Sequence, residues 1–312
     1  MNQKKPGFFE QIRAPFLSSI ISPLISGSLL SVYITGTFEV VNFVLVLILG
    51  IALHIATNVY NDIYDTIQGT DKINVHRNKF SGGSGVLVDY PELMANMYKI
   101  ARIALLFALC AAIFLFFLIE RNLRFFLIGL FLLSAFFSKY YTAGPFKAAY
   151  RGLGEVSVWF AFGPMAILMA AVSQNIGPHP LILTAMPITG ISTLSILLIG
   201  QIIDKDADQA TGKWGVAVRL GIKPTRYIYL GVQLILCMNI ILLALVMMNN
   251  AWPVLIALIP YAIILPVIFK QLRQNENQLE TFKRAAGLNV LLHLYFSALF
   301  SIGVGLAIFL KS

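Results

Sequence analysis

Charged residues are scarce in this chain of 312 amino acids. Asp, Glu, Lys and Arg together make up 12% of it, whereas 58% is hydrophobic and the mean hydropathy is +0.80. A soluble protein of this length would be expected to divide into two domains with charged surfaces, which this composition does not provide. The composition instead indicates a membrane protein in which a single transmembrane domain occupies residues 1–312.

Cysteine and histidine are also rare, with two and four copies. Cys110 and Cys237 each lie in an apolar run, so we predict neither a disulfide nor a metal-binding role for them. No cluster of His or Cys has the spacing of a zinc site. We interpret His179 and His293 as structural residues.

Long apolar runs, in contrast, are abundant. Nine of them are long enough, at roughly 20 residues each, to cross a bilayer as helices. The basic N-terminal segment leads into the first run without a signal-peptide cleavage site, so we expect that span to be retained. The fold predicted is all-α, with nine transmembrane helices at 15–35, 39–60, 97–119, 124–142, 152–174, 180–203, 227–248, 251–270 and 287–310.

The positive charges are distributed unevenly between the connecting segments. If the N-terminus is cytoplasmic, all but three of the 23 Lys and Arg residues lie on the cytoplasmic side, the exceptions being Arg121, Arg124 and Lys311. This bias sets the orientation of membrane proteins and attracts anionic lipid. We therefore predict an integral protein of a bacterial-type cytoplasmic membrane with its N-terminus inside, and nothing indicates nucleic-acid binding.

The segment NVYNDIYDTIQGTD, residues 58–71, gathers acids and carboxamides at the end of the second span. Residues three or four apart share one face of a helix, and acids at membrane depth usually mark a functional site. Gly69 is expected to end the helix, so that Asp71 can fold back toward the same place. Four side chains have the spacing to point into one cavity: Asn58, Asn61, Asp62 and Asp65.

A second acidic segment, DKDADQATGK, begins at residue 204 at the end of the sixth span. Asp204 and Asp208 are four residues apart and share a face, with Gln201 on the same side, whereas Asp206 is predicted to point elsewhere. The D-x-D-x-D pattern also opens a calcium-binding EF-hand. That alternative is rejected because the sixth and twelfth positions are Gln209 and Gly215 instead of Gly and Glu.

The two segments contain too many acids to face one another without cations. Two carboxylates about 5 Å apart repel by roughly 3 kcal/mol at an effective dielectric near 20. Carboxylate and carboxamide oxygens select a hard ion, Mg²⁺ or Mn²⁺, and Mg²⁺ is commonly shared with substrate phosphates. We therefore predict two Mg²⁺ sites that grip a diphosphate, with Asp62, Asp65, Asp204 and Asp208 as the metal ligands and Asp71 as a further acid that contacts the substrate.

Nearby cations can complete the grip on a diphosphate. Lys139 and Arg151 are the best candidates because they flank the turn YTAGP, and Tyr140 is a candidate substrate contact beside them. The other candidate cations are Lys72, Arg77, Lys79, Lys147 and Lys213. A diphosphate held at the mouth of an apolar bundle implies a lipid tail, so an isoprenyl diphosphate fits, and Mg²⁺ would stabilise the departing diphosphate.

These motifs resemble those of the UbiA-type intramembrane prenyltransferases over nearly the whole chain. NDIYDTIQGTD is similar to the N-D-x-x-D-x-x-x-G-x-D of the branch that prenylates 1,4-dihydroxy-2-naphthoate in menaquinone synthesis, and DKDADQATGKWGVAVRLG resembles its second motif. FSGGSGVL and YTAGPFKAAYRGLGE also look like segments of that branch. The chain departs from the family at two places: Gly200-Gln201-Ile202-Ile203 stands where the family often has Asn-Asn-x-Arg, and Trp214-Gly215 follows the G-K step where Thr is common. Both departures bear on the identity of the acceptor more than on diphosphate binding.

The resemblance implies a nine-helix bundle with a lateral opening to lipid and a cytosolic cap made by the loops between spans two and three and spans six and seven. It implies that the two acidic motifs bind Mg²⁺ and diphosphate, that Lys139 binds diphosphate, and that a polyprenyl group is transferred to an aromatic ring. The naphthoate would lose its carboxylate. Within the family, 4-hydroxybenzoate, a haem or chlorin, or a glycerol lipid remain alternative acceptors, and a secondary transporter remains the alternative outside it.

Two histidines and one glycine-rich segment have both a structural and a functional interpretation, and Glu155 has a structural one. His54, eight residues before Asp62, is a satisfied bundle histidine or an acceptor contact, and His76 is a loop residue or a substrate contact. Glu155 is expected to pair with Arg151, four residues earlier. The glycine-rich GGSGVL at 82–87 is a flexible loop or a lid whose amides approach phosphate.

Overall fold

The computed structural model describes residues 5–78, 83–247, 251–273 and 279–311. Within these ranges it contains nine helices that are long and apolar enough to cross a membrane, and no β-strand. The predictions of an all-α fold and of nine spans are therefore confirmed. In chain order the helices are α1 (Ala14–Thr35), α2 (Val40–Gln68), α3 (Pro91–Leu118), α4 (Arg121–Tyr140), α5 (Gly154–Ser173), α6 (Pro180–Ala210), α7 (Ile222–Met247), α8 (Trp252–Leu272) and α9 (Leu279–Lys311).

Two of the helices continue well past the C-terminal ends of the apolar runs that predict them, and α9 begins at Leu279, before its predicted start at 287. α2 continues to Gln68 and α6 to Ala210, beyond the expected ends at 60 and 203. A helix of about 30 residues is about 45 Å long, whereas the hydrocarbon layer is about 30 Å thick. The extra turns of both helices carry the acidic motifs, so these motifs are helical and project from the same end of the bundle.

The end of α2 is determined by Gly69, as the sequence predicts. Its φ of +93° is a left-handed conformation that costs glycine little, and the helix stops there. A short helix, Thr70–Ile73, follows immediately and buries Asp71. The chain thus turns back after α2 and returns a third acid of the first motif to the interior.

α5 and α6 approach each other closely through two glycines. A Cβ on Gly163 would lie 3.0 Å from Gly190 Cα, so a larger residue would push the helices apart. Next to Gly163, Pro164 lies in a π-helical turn, Ala161–Met165, because proline has no N–H with which to continue the α-helical ladder. The absence of side chains at Gly163 and Gly190 therefore permits the close packing of α5 against α6.

α6 lies at the centre of the bundle and contacts α1, α5, α7 and α9. Buried polar groups join it to its neighbours: Asn289 of α9 accepts hydrogen bonds from Tyr229 of α7 at 2.8 Å and from Ser195 of α6 at 3.3 Å. His293 shares a 2.8 Å hydrogen bond with Ser192. Such interhelical bonds hold transmembrane helices together, so His293 is structural as predicted.

The outer surface of the bundle is apolar. On α3 and α4, large side chains such as Phe107, Phe114, Phe117 and Phe125 are exposed, the last of them at 84%. Continuous exposure of such side chains is compatible with lipid and not with water. Together with the nine apolar helices, it makes the chain an integral membrane protein.

Candidate active site

The acids of the first motif share one buried face of α2. Asp62 and Asp65 are 1% and 2% exposed, and Asn58 and Asn61 lie on the same side of the helix. Asn61 donates a 3.1 Å hydrogen bond to Asp65 Oδ2. Asn58, Asn61 and Asp65 line one cavity, as predicted, whereas Asp62 is buried beside them and is not among the lining residues.

Asp62 is contacted by Arg13, near the N-terminus of the chain, and by the loop that follows α2. Arg13 Nη1 lies 3.5 Å from Asp62 Oδ1 and donates to Asn61 Oδ1 at 3.3 Å. The backbone amide of Ser84 donates to the same Asp62 oxygen at 3.2 Å. From the sequence, Arg13 was considered only as one of the positive charges that set the membrane orientation. Nothing in the local sequence connects residue 13 with residue 62.

The second motif is organised on α6. Asp204 and Asp208 are both buried on one face, and Asp206 is exposed, as the helical spacing predicts. Asn74, which follows the short helix after α2, donates a 2.9 Å hydrogen bond to Asp204 Oδ1. This contact joins the loop of the first motif to the second.

Lys213 joins the two motifs directly. Its Nζ lies 3.0 Å from Asp65 Oδ2 and 3.9 Å from Asp208 Oδ1. Burial lowers the pKa of Lys213, but the two carboxylates outweigh burial and hold that pKa well above its ordinary value. Lys213 was one of several candidate cations in the sequence, and the structure places it between the two acidic motifs.

Tyr150 and Thr70 complete this junction, and neither was expected from the sequence. The Tyr150 hydroxyl donates to Asp65 Oδ1 at 2.7 Å and also contacts Thr70 Oγ1 at 2.7 Å. Burial, followed by the Asp65 carboxylate beside it, raises the pKa of Tyr150. The phenol therefore stays protonated and serves as a hydrogen-bond donor.

The acids still carry more negative charge than the side chains around them neutralise. Asp62 Oδ2 and Asp71 Oδ2 are buried without a hydrogen-bond partner. Burial, followed by repulsion from Asp65 and Asp62, raises the pKa of Asp71 to about 7, although Lys213 and Arg13 oppose the shift. This arrangement favours the entry of further positive charge.

A cavity of about 260 Å³ opens between these acids and continues into the bundle. Asn61, Asp65, Asp71, Asp204, Asp208 and Lys213 line one end. The other end is lined mainly by apolar side chains, including Leu24, Leu53, Phe137, Phe162, Met165 and Met169. The cavity is thus suited to a molecule with a multiply charged head and a hydrocarbon body.

His54 also lines this cavity. It is 6% exposed, its ring packs edge-on against Phe162 at 4.9 Å, and its Nδ1 has no hydrogen-bond partner. His76 is half-buried in the loop after α2 and is not among the lining residues. His54 therefore remains a candidate substrate contact, whereas the position of His76 does not support a contact with substrate.

Four predicted substrate contacts do not line the cavity: Lys139, Tyr140, Arg151 and Arg77. On α4 the lining residues Ser134, Phe137 and Ser138 share one face of the helix, and Tyr141, directly after α4, continues it. Lys139 and Tyr140 lie off that face, with the Lys139 ammonium 5.4 Å from the Tyr140 ring centre. Arg151 is exposed, and Arg77 lies 3.7 Å from Asp89.

The predicted pair between Glu155 and Arg151 is wrong. α5 begins at Gly154, and Gly152 just before it has a φ of +75°, so the two residues do not share a helix. Glu155 Oε1 instead accepts hydrogen bonds from Gln201 Nε2 at 2.9 Å and from the amide of Val216 at 2.6 Å. Arg219 lies 3.6 Å from the other oxygen.

The glycine-rich loop reaches the site through its described part. Gly83 packs directly against the Asp71 carboxylate, where a Cβ would collide with the acid, and Ser84 donates its amide to Asp62. Gly82 and the candidate cation Lys79 lie outside the described residues. This loop therefore contributes one backbone amide, that of Ser84, to the acid cluster.

The acid set fits Mg²⁺ shared with a substrate. In the described part of the chain, no three acidic, His or Cys side chains are grouped closely enough to ligate one ion alone. Mg²⁺ seldom requires such a group, because it takes one or two carboxylates and completes its shell with water and phosphate oxygens. The orphaned oxygens of Asp62 and Asp71, which are buried and unpaired, are suitable ligands.

The sequence profile of the UbiA prenyltransferase family matches residues 20–291. The chain belongs to this family. Membership confirms the predicted resemblance and the predicted enzyme class, a prenyltransferase, and sets aside the transporter alternative.

Relatives of this UbiA-family prenyltransferase are named after naphthoate and naphthoquinone acceptors. The 2-carboxy-1,4-naphthoquinone phytyltransferase of Synechocystis sp. is 28% identical over 304 residues, which cover 95% of this chain and 92% of that protein. The 1,4-dihydroxy-2-naphthoate octaprenyltransferase of Mycobacterium tuberculosis is 34% identical over 91 residues, covering 29% and 31%.

Solved structures of UbiA homologues share the fold. The apo homologue from Aeropyrum pernix K1 superposes with a TM-score of 0.64 at 14% identity, covering 98% of this chain and 99% of that one. A homologue from Archaeoglobus fulgidus bound to DMAPP and Mg²⁺ gives 0.61 at 15% identity, covering 96% and 100%. The predicted nine-helix UbiA architecture is thereby confirmed.

Proposed function

We propose that this prenyltransferase transfers a polyprenyl group from a polyprenyl diphosphate to 1,4-dihydroxy-2-naphthoate, a step of menaquinone biosynthesis. The observation that carries the proposal is the cavity between α2 and α6, which has acids at one end and apolar side chains at the other. The names of the Synechocystis and mycobacterial relatives support the acceptor, and the Archaeoglobus homologue bound to DMAPP and Mg²⁺ supports the donor and the metal.

The diphosphate would be held at the acidic end. Asp62 and Asp65, with Asp71, would provide one set of Mg²⁺ ligands, and Asp204 with Asp208 the other. Mg²⁺ would neutralise these acids and the negative charge that develops on the departing diphosphate. Asn58 and Asn61 would orient the first set, since Asn58 is fixed by a 3.1 Å hydrogen bond to the carbonyl of Ile12.

Lys213 would exchange partners when substrate binds. Between Asp65 and Asp208 it balances the acids, and with metal present it becomes available to donate to a diphosphate oxygen. Tyr150 would keep Asp65 in place during this exchange through its 2.7 Å hydrogen bond. Lys139, Tyr140, Arg151 and Arg77 remain predictions from the sequence, and their positions off the cavity wall do not support them.

Bond changes occur where the charged and apolar parts of the cavity meet. The C–O bond between the allylic carbon and the diphosphate breaks, a C–C bond to the acceptor ring forms, and the ring loses its carboxylate as carbon dioxide. The apolar wall excludes the water that would otherwise capture the allylic cation. We place the site on the cytoplasmic side of a bacterial-type membrane, because the positive charges are concentrated at that end.

The experiment that tests this function is an acceptor panel with one labelled polyprenyl diphosphate. Purified full-length protein with Mg²⁺ is incubated with dihydroxynaphthoate, 4-hydroxybenzoate, a haem and a glycerol phosphate lipid, and prenylated products are identified by mass spectrometry. We expect product with dihydroxynaphthoate alone. Product with another acceptor would overturn the acceptor assignment, and no product with any of them would overturn the donor assignment.

A further inference from the structure

Two loops lie side by side at the acidic end of the bundle, one joining α4 to α5 and the other joining α6 to α7. The Trp214 amide of the second loop donates to the Tyr150 carbonyl of the first at 3.3 Å. The Val216 amide donates to Glu155 Oε1, in the first turn of α5, at 2.6 Å. These contacts hold the two loops together where α5 begins.

The paired loops expose large apolar side chains. Leu153 and Val156, at the start of α5, are 55% and 60% exposed, and Trp214 and Leu220, on the other loop, are 52% and 55% exposed. Val156 is two residues from the cavity-lining Gly154 and so lies on a different face of α5. We refer to Leu153, Val156, Trp214 and Leu220 as the apolar rim. Large apolar side chains exposed together mark a surface that contacts a membrane or a partner.

The apolar rim adjoins the lipid-facing surface of the bundle on two sides. On one side, Val156 itself belongs to a transmembrane helix. On the other side, Phe146, which lies in the same loop as Leu153 and is 51% exposed, packs against Phe136 of α4 with ring centres 4.9 Å apart. Further along α4, Leu132 is 60% exposed. This continuity favours lipid over a soluble protein as the partner of the rim.

Basic residues accompany the apolar ones in both loops. Arg151 and Arg219 are exposed and lie close in the chain to Leu153 and Leu220. Aromatic and basic side chains beside a hydrocarbon-facing surface are typical of the headgroup layer, where rings are partly immersed and cations meet lipid phosphates. Burial of the Trp214 indole in that layer would remove its apolar surface from water.

We propose that the apolar rim is inserted into the headgroup layer of the adjoining leaflet, with Trp214 against the upper part of the acyl chains. Lys213, the residue before Trp214, lies between Asp65 and Asp208. One side of this loop therefore meets the acid cluster and the other side meets lipid. The lipid thereby helps to hold the loop that carries Lys213. This contact with lipid is independent of the prenyl acceptor and of Mg²⁺.

The test is tryptophan fluorescence of the full-length protein in vesicles of phosphatidylcholine and phosphatidylglycerol that carry bromine near the top of their acyl chains. The chain has three tryptophans, so Trp159→Phe with Trp252→Phe leaves Trp214 alone. Iodide on both sides of the membrane quenches tryptophans in water instead. Two references are made with all three tryptophans replaced by Phe: Gln209→Trp, exposed at the projecting end of α6, and Leu132→Trp, exposed within α4. Thermal unfolding in detergent verifies that these variants are folded.

We expect brominated lipid to lower the emission of Trp214 about twofold, as at Leu132→Trp, and iodide to quench Trp214 about threefold less than Gln209→Trp. In the otherwise unmodified protein, Trp214→Phe should remove part of the lipid-quenched emission, which tests the same contact if the double variant does not fold.

Two results would contradict the insertion of the rim. If iodide quenched Trp214 as strongly as Gln209→Trp and brominated lipid did not quench it, the rim would lie in water and would be open to a soluble partner. If neither agent quenched Trp214, protein would cover it, as in contact with a second copy of this chain.

Discussion

Lys213 and Asp65 form an ion pair of 3.0 Å although 148 residues separate them in the chain. The pair joins the turn after α6 to the end of α2, and Asp208, at 3.9 Å, extends it to the second acidic motif. The two motifs therefore meet across a single cation. Under the proposed function, this cation would act on the substrate diphosphate.

Replacing Lys213 is expected to impair turnover strongly. We predict that Lys213→Gln lowers kcat by about 100-fold, because a positioned donor to the developing negative charge is lost. Lys205→Gln on α6, which removes a charge outside the cavity wall, is the control and should lose less than threefold. Steady-state kinetics with labelled polyprenyl diphosphate measure both, and equal losses would contradict the role of Lys213.

The family resemblance and the structure give different predictions for Lys139. The family resemblance assigns diphosphate binding to Lys139, whereas in the structure its ammonium lies over the Tyr140 ring and off the cavity wall. We expect Lys139→Gln to change the KM for the prenyl diphosphate by less than threefold. A rise above tenfold, measured under the same conditions as for Lys213→Gln, would show that Lys139 reaches the substrate.

Removal of metal is expected to abolish turnover and also the thermal stabilisation of the protein by inorganic diphosphate. Inorganic diphosphate with Mg²⁺ should raise the thermal unfolding temperature, since a ligand at 100 times its Kd stabilises by about 2.7 kcal/mol. EDTA, Asp62→Asn or Asp204→Asn should eliminate this shift. Asp206→Asn, at an exposed position of the same motif, should keep it. A full shift in the Asp62 and Asp204 variants would exclude them as ligands.

Gln201 is expected to affect the acceptor more than the donor. Gln201 lines the cavity three residues before Asp204, and its Nε2 donates a 2.9 Å hydrogen bond to Glu155. The Oε1 atom of Gln201 has no hydrogen-bond partner. We predict that Gln201→Ala raises the KM for the aromatic acceptor about tenfold, in the range of one lost hydrogen bond in a buried site. The KM for the prenyl diphosphate should stay within twofold, and a change in that KM alone would contradict the assignment.

The close contact between α5 and α6 gives a prediction about stability. Gly190→Ala would place a Cβ against the carbonyl oxygen of Trp159, and we expect a loss of about 1–3 kcal/mol from overpacking. Gly231→Ala in α7 is the matched control, because nothing lies within 4 Å of its Cβ position. The control should gain up to about 1 kcal/mol in helix propensity. Denaturant unfolding in detergent measures both, and equal stability of the two variants would contradict the packing.

Much of the fold followed from the sequence because each signal was local. The apolar runs predict nine spans, since every backbone polar group in lipid must be satisfied within its own helix. The three- and four-residue spacing of Asp62 with Asp65 and of Asp204 with Asp208 predicts shared faces, because helical periodicity determines which side chains point together. Gly69 predicts the end of α2 for a similarly local reason.

The contacts that join the two acidic motifs into one site depend on the tertiary structure. The sequence does not indicate that Arg13 reaches Asp62, that Tyr150 reaches Asp65, or which of several cations lies between the motifs. These contacts depend on how helices distant in the chain rotate and pack, and Lys139 and Ser138 show that one position along a helix can separate an outer face from a cavity wall. The sequence therefore determined which chemistry is present, and the packing of α2 against α6 and their loops decided which side chains perform it.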